Sequence, residues 1–293
     1  MMQKFNEIIE RTGIVILLYG KAGLGKTYLA STADNSVLFD FDNGLYRSES
    51  KPTNFVVVEN YKQFLNDFDK GITADTIIID TIDNMIQVYD IHITSANQKY
   101  KRNIMQKYGA ILKEVREKTQ ILKKSGKNVI FIAHAKKRQI DDLTYFEPKI
   151  TGSSSDDIPT LCDAIGYMDN SNDGVKVTFN SSQYNEGKNS ANIPDFVIPR
   201  FKNALLGLGY FDCVINQMKD NLNNRQKTNA DLRELLYSFR SRINECKDIE
   251  SLELIGDEIK DDGMDKNLKT ALRPIYAIKK KEFAIVPTQE NKE

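Results

Sequence analysis

The stretch "GKAGLGKTYLA" (residues 20–30) follows directly on the apolar run "GIVILLY" (13–19). A buried strand that enters a loop with three glycines, and leaves it through Lys26 and Thr27, decides the rest of the reading. Gly20-x-x-x-x-Gly25-Lys26-Thr27 is the phosphate-loop pattern, and strand–loop–helix is the context that gives it meaning. Glycines let successive backbone N–H groups turn inward around phosphate oxygens, and the helix start adds positive potential. Lys26 then neutralises the β- and γ-phosphates, and the Thr27 hydroxyl ligates Mg²⁺. Gly20, Lys21, Ala22, Gly23, Leu24, Gly25, Lys26, Thr27 and Tyr28 are therefore the candidate nucleotide site, with ATP and Mg²⁺ as its ligands. With glycine at about 7% of residues, a chance match in a chain this long is roughly a one per cent event.

The metal needs a second oxygen ligand, an acid at the end of a buried strand. "TIIID" (76–80) supplies Asp80, which would orient the metal through water. Asp83, just beyond it, reads as a helix N-cap. Hydrolysis needs a further acid to orient and deprotonate water. "LFDFDNG" (38–44) offers Asp40 and Asp42, which alternation puts on one face with Phe41 opposite. Glu59, ending a third strand, is the next candidate. His134 closes "NVIFIAH" (128–134), where it could hydrogen-bond a γ-phosphate. A lone histidine is more often structural, so spacing alone leaves that role open.

The chain has 293 residues, 40% hydrophobic and 28% charged, an ordinary globular composition. Lys+Arg and Asp+Glu both number 41, so no global charge draws it to a polyanion and a local cluster would have to. Cys162, Cys213 and Cys246 form no C-x-x-C pair, which argues against a zinc site or disulfide frame and fits a reducing cytosol. The start "MMQKFNEIIERTG" is unlike a signal peptide, and no apolar run approaches about 18 residues. The expectation is a soluble, cytoplasmic protein with no membrane partner.

Five nearly continuous apolar runs (13–19, 36–41, 55–59, 76–80 and 128–134) read as strands covered on both faces. They alternate with helical stretches at 25–33, 61–70 and 103–124, which predicts a doubly wound, mostly parallel α/β sheet. "AKKRQIDDLTYFEPKITGSSSDD" (135–157) reads as a long loop or an exposed hairpin. "DAIGYM" (163–168) and "VKVTF" (175–179) read as two late strands, and 181–203 as irregular. From residue 228 three amphipathic helices are expected, with Asn229 and Asp248 as N-caps, and "PTQENKE" (287–293) as a frayed tail. These readings divide the chain into a nucleotide-binding domain (1–205), a connecting segment (206–227) and a C-terminal helical module (228–293).

With "LLYGKAGLGKTYLA", "VLFDFDNGL", "TIIIDT", "VIFIAHAKK" and "DAIGYM" in this order, residues 10 to 200 resemble the phage-encoded RecA-like ATPases. These are the AAA-type nucleotide-binding proteins of bacteriophages, some of which act as single-strand annealing proteins in recombination. The resemblance implies a RecA-like fold and an ATPase that works on single-stranded DNA. In that core the catalytic acid lies in a segment beginning D-x-E. Asp40-Phe41-Asp42 matches it with Asp for Glu, a shorter reach, and favours Asp42 as the residue that activates water. The fifth strand of the core ends in a polar sensor, commonly Gln, and His134 occupies that position. A mobile DNA-binding loop closing with Thr-Gly follows, and residues 135–157, with Thr151-Gly152, resemble it in place and length. Lys136, Lys137 and Arg138 would then contact the DNA backbone, with Tyr145 or Phe146 stacking on bases. On the residues alone the basic triplet reads equally as a solvated face. "GKNSANIP" (187–194) resembles the segment in which RecA-like filaments set lysines against a neighbour's γ-phosphate, which points to Lys188. A ring or filament of identical subunits follows from the same resemblance, with phage replication or recombination proteins as partners. The C-terminal helices match no part of that core.

Two other readings remain. A small-molecule P-loop kinase would need an arginine-rich lid, and residues 135–150 make a poor one. A P-loop adaptor, such as a helicase loader, would use ATP only to stabilise an assembly. Stimulation of ATP turnover by single-stranded DNA separates the three.

Overall fold

The computed structural model describes residues 10, 12–47, 54–71, 73–97, 99–140, 142–152, 154–200 and 207–285. Most of the polar start, the end of the stretch expected to be irregular and the tail 287–293 lie outside the described residues.

In chain order the elements are β1 (Val15–Gly20), α1 (Lys26–Ala30), β2 (Ser36–Asp40), β3 (Asn54–Val57), α2 (Tyr61–Gly71), β4 (Thr76–Asp80), α3 (Ile82–Ala96), α4 (Lys99–Arg102) and α5 (Ile104–Lys124). Then come β5 (Asn128–Ile140), β6 (Leu143–Pro148), α6 (Ser154–Leu161), β7 (Ala164–Ser171), β8 (Gly174–Thr178), β9 (Lys188–Asn189), β10 (Phe196–Val197), α7 (Tyr210–Glu245), α8 (Ile249–Lys260) and α9 (Lys266–Ile285).

The apolar runs form one sheet in the order β10-β8-β7-β1-β5-β4-β2-β3, with β6 added to β5 and β9 to β7. Pairing is parallel from β7 through to β3 and antiparallel among β7, β8, β9 and β10. Strand alternation sorts the core into two layers. Leu17, Tyr19, Phe39, Ile77, Ile79 and Phe131 pack on one face against Phe64, Met85, Tyr89, Ile111 and Val115 of α2, α3 and α5. Ile16, Leu18, Leu38, Ile78, Ile130 and Ile132 pack on the other, against Leu29 of α1 and Phe211, Ile215 and Met218 of α7. The fold is thus the expected doubly wound, mostly parallel α/β sheet with C-terminal helices.

Three local expectations need correction. α3 is absent from the sequence reading, although Ile82, Met85, Ile86 and Tyr89 form a buried stripe at helical spacing. Its N-cap is Thr81, so Asp83 lies inside the first turn and is not the cap. Asn229 also caps nothing: it lies within α7, which starts at Tyr210 and runs through most of the segment expected to connect the domains. Phe211, Val214, Ile215 and Met218 are buried, but the polar run after Met218 hides their period. Asp248 does cap α8, accepting a hydrogen bond from the Ser251 amide at 2.7 Å.

The chain forms two compact units, one spanning Arg11–Leu222 and a second formed from Asn223 onward, so the boundary falls within α7. The second unit has its own core of Phe239, Ile243, Leu252, Ile255, Ile259, Leu268 and Leu272. Among the described residues no helix is long and apolar enough to cross a membrane.

Candidate nucleotide-binding site

β1 ends at Gly20 in the middle of the sheet, flanked by β5 and β7, with Gly20 in register with His134 and Met168. Gly20 is required by space: a Cβ there would lie 2.5 Å from the Met168 carbonyl oxygen. Gly25 takes the left-handed conformation (φ 82°) at the start of α1, which glycine adopts without steric cost. That turn hands the chain directly to Lys26. Its side chain is buried, and Nζ donates to the carbonyls of Gly20 (3.0 Å) and Lys21 (2.7 Å). Burial pulls the ammonium down to about 8, with Asp80 opposing. The charge is held inside the loop by carbonyls, which are weaker partners than phosphate oxygens.

Thr27 Oγ1 donates to Asp80 Oδ2 at 2.7 Å. Asp80 ends β4, and the Asp80–Thr81 peptide is cis. Burial pushes its carboxyl up to about 6; the Thr27 hydrogen bond and Lys26 oppose this, and Asp40 and Asp42 add to it. The hydroxyl and carboxylate fit Mg²⁺, a hard cation that is held by one or two carboxylates together with substrate phosphates. Among the described residues no group of three or more His, Cys, Asp and Glu could hold a metal on its own. This arrangement relies on the nucleotide to complete the shell.

The strand order places the histidine. β5 lies between β1 and β4, and His134 pairs with Gly20 in register. Burial and the Lys26 charge hold its imidazole below the usual value, against Asp42 and Asp83. It is therefore neutral near pH 7 and presents one donor and one acceptor.

The structure separates the three candidate bases. The buried Asp40 carboxylate accepts from the backbone amides of Asp42 (3.1 Å), Gly44 (3.1 Å) and Leu45 (2.9 Å). It shapes the turn after β2. Asp42 is exposed, and Asn84 Nδ2 of α3 donates to its Oδ1 at 2.8 Å. Glu59 follows the edge strand β3, four strands from β1, or about 19 Å at ordinary strand spacing. Its amide donates to Gln63 at the start of α2. Asp42 alone stands beside both Asp80 and His134 electrostatically.

The segment after His134 is the hairpin β5–β6, the second of the two forms expected for it. Its register pairs Lys136 with Glu147, Lys137 with Phe146 and Arg138 with Tyr145. Alternation puts Lys136 and Arg138 on the face of His134 and Lys137 on the other. All three cations are exposed, and Lys136 (3.1 Å) and Arg138 (3.8 Å) share Glu147. Phe146 is a correction: it stacks on Tyr167 with ring centres 5.5 Å apart and lies under the Lys21 ammonium, so it is not displayed for a base. Lys188 is held away from the loop, donating to the carbonyls of Pro159 (3.2 Å) and Thr160 (3.4 Å) near the end of α6.

Sequence spacing missed Asn84 and Lys149. Asn84 meets Asp42 only because β2 and β4 are neighbours. Lys149 reaches the site because its amide donates to the His134 carbonyl at 2.7 Å across the hairpin. No local motif signals either contact.

Among solved structures, the chain is similar to a KaiC-like protein from the hyperthermophilic archaeon Pyrococcus horikoshii OT3, at 15% identity over 57% of this chain and 76% of that one, with a TM-score of 0.32. It is also similar to the flagellar accessory protein FlaH from Methanocaldococcus jannaschii, at 14% identity over 58% and 77%, with a TM-score of 0.31. No curated protein sequence matches. Residues 12–191 match the family model described as "AAA domain", and this span, more than half of the chain, holds the phosphate loop, Asp80, Asp42 and His134. The chain belongs to the AAA domain family.

Proposed function

We propose that this chain hydrolyses ATP and acts on single-stranded DNA in the recombination or replication of a bacteriophage. One observation carries the reading. A single strand, β5, runs from the side of the phosphate loop at His134 directly into three exposed cations at 136–138. Nucleotide chemistry and polyanion contact are therefore two residues apart on one continuous backbone.

Lys26 supplies the point charge for the β- and γ-phosphates, and Thr27 and Asp80 would hold the Mg²⁺, which when bound draws charge from the phosphate oxygens. Asp42, oriented by Asn84, takes the proton of the attacking water as the bond from the γ-phosphorus to the bridging oxygen breaks, leaving ADP and phosphate. His134 donates to the γ-phosphate oxygen and senses its presence. Outside the loop, Lys136, Lys137 and Arg138 contact the DNA backbone, and the exposed Lys99, Lys101 and Arg102 of α4 add a second basic turn. A ring or filament of identical subunits is part of the proposal. In it Lys188 would have to leave the carbonyls of α6 to reach a neighbour's nucleotide.

The test is ATP turnover with and without single-stranded DNA, together with anisotropy of a labelled oligonucleotide. Stimulated turnover, and binding that weakens when Lys136, Lys137 and Arg138 are all changed to alanine, support the reading. Turnover indifferent to DNA favours the adaptor reading.

A further inference from the structure

We propose that Lys149 is a second cation for the terminal phosphate of the nucleotide, supplied within the same chain directly after the return strand of the hairpin. The inference rests on the ATP reading above and deepens it.

The backbone fixes where the lysine starts. Its amide donates to the His134 carbonyl at 2.7 Å, one step beyond the Ala135–Pro148 pair. Residues opposite each other in an antiparallel pair share a face, with Cβ atoms about 4.5–5.5 Å apart. Lys149 therefore starts from the face of His134, whose strand neighbour is Gly20 of the phosphate loop. Lys26 and Lys149 are the two cations whose charges act on the imidazole, so both lie within electrostatic reach of it.

The side chain is held loosely. Its ammonium stands 3.7 Å from Asp83 Oδ2, longer than a hydrogen bond, and the lysine side chain is 57% exposed. Asp83 has a firmer partner on its other oxygen, the Thr151 hydroxyl at 2.5 Å. Asp83 is thus anchored without the lysine, and the lysine is parked beside it with room to move.

The charge balance gives it work. Four carboxylates lie around the loop, Asp40 and Asp80 at strand ends, Asp42 just after β2 and Asp83 in the first turn of α3, and Lys26 is engaged inside the loop. Charge that develops on γ-phosphate oxygens is stabilised by cations aimed at them. A lysine with three rotatable donors on a flexible stem suits that role from a parked position.

The test separates a phosphate contact from a strut for Asp83. Equilibrium titrations of the full chain with Mg²⁺ would use a fluorescent non-hydrolysable ATP analogue and the matching ADP. Lys149→Ala should weaken the analogue about ten-fold, the scale of one charged hydrogen bond, and leave ADP within about two-fold. Lys149→Arg should restore most of the preference, and Asp83→Asn, which releases the lysine, should keep or increase it. If Lys149→Ala binds both nucleotides like the wild type, the proposal fails. It fails equally if Lys149→Ala and Asp83→Asn lose the two nucleotides in parallel, because that is the behaviour of a strut. Lys26→Ala is the control for the underlying reading: retained affinity there would overturn the nucleotide site itself, whatever Lys149 does.

Discussion

The two halves of β5 handle charge in opposite ways. From Val129 to Ala133 the strand is fully buried, and the ionisable groups beside it have fixed partners at hydrogen-bond distance. Burial shifts Lys26 and Asp80 toward each other, one down to about 8 and the other up to about 6. Beyond His134 the same strand leaves the sheet, and its cations stand in solvent around one glutamate. A buried charge acts in a low dielectric, where a single lost group changes chemistry. An exposed one is screened by salt and contributes at most about 1 kcal/mol per ion pair. The first environment suits phosphoryl chemistry, and the second suits sequence-independent contact with a phosphate backbone.

The largest effect should come from the buried half. Lys26→Ala removes the one cation inside the loop and should reduce nucleotide affinity by at least about a hundred-fold, measured by fluorescent-nucleotide titration. A folded variant that still binds would erase the contrast between the two halves. Next in size is Asp42→Asn, which keeps shape and the Asn84 contact region but cannot accept a proton. Turnover should fall by about 10²–10⁴-fold while nucleotide affinity stays within a few-fold. If turnover survives, water is activated elsewhere, and Asp40 is not a ready substitute because three amides occupy its carboxylate.

What the sequence made legible follows from the same division. The phosphate loop, Asp80 and the strand carrying His134 are legible because buried parallel strands are continuous apolar runs, and Gly20, Asp80 and His134 stand where those runs stop. Alternation alone does not separate Asp40 from Asp42, because the difference depends on where the Gly44 and Leu45 amides turn, and only the family resemblance favours Asp42. Of Tyr145 and Phe146, the sequence does not show that Phe146 is engaged, because its partner Tyr167 lies 21 positions later in the chain. Lys149 and Asn84 act across strand and helix neighbours that no local pattern encodes. The first turns of α7 are hidden in the sequence because a polar stretch of the same helix follows them.

A smaller, two-sided effect concerns pH. Asp80 must be ionised to hold Mg²⁺, so nucleotide affinity should fall as pH drops through about 6. Lys26 must be protonated to hold phosphate, so affinity should also fall as pH rises through about 8. Stability of the unliganded protein moves the other way. An acid whose folded value is raised contributes stability that is lost as pH rises from 3.8 to about 6. A lysine whose folded value is lowered contributes stability that appears only as pH rises from about 8 to 10.5. These two groups therefore stabilise the fold least between 6 and 8, where the site binds best. Thermal melts at pH 5.5, 7 and 8.5, with and without nucleotide, should show the largest ligand-induced rise at pH 7. An equal rise at all three would mean that neither group titrates with binding.

The smallest expected effect tests the exposed half alone. Glu147 is the shared partner of Lys136 and Arg138, and its side chain is only 20% exposed. On the proposed reading, Glu147→Gln keeps the shape of the strand while removing the charge that would compete with a DNA phosphate for both cations. Single-stranded DNA binding should tighten by about two- to three-fold at low salt, the scale of an exposed ion pair. Each newly available phosphate contact should also steepen the salt dependence by about 0.7 in log–log slope, so the change should not exceed about 1.4. Nucleotide affinity should stay unchanged, because among the described residues Glu147 forms its ion pairs with the exposed Lys136 and Arg138. Lys137, on the opposite face, is the internal control: Lys137→Ala should weaken DNA binding without altering the gain from Glu147→Gln. If Glu147→Gln leaves both affinity and salt slope as they were, the face shared with His134 is solvated and DNA is held elsewhere. Binding that tightens only when an ATP analogue is present would instead tie the two halves of β5 together through His134.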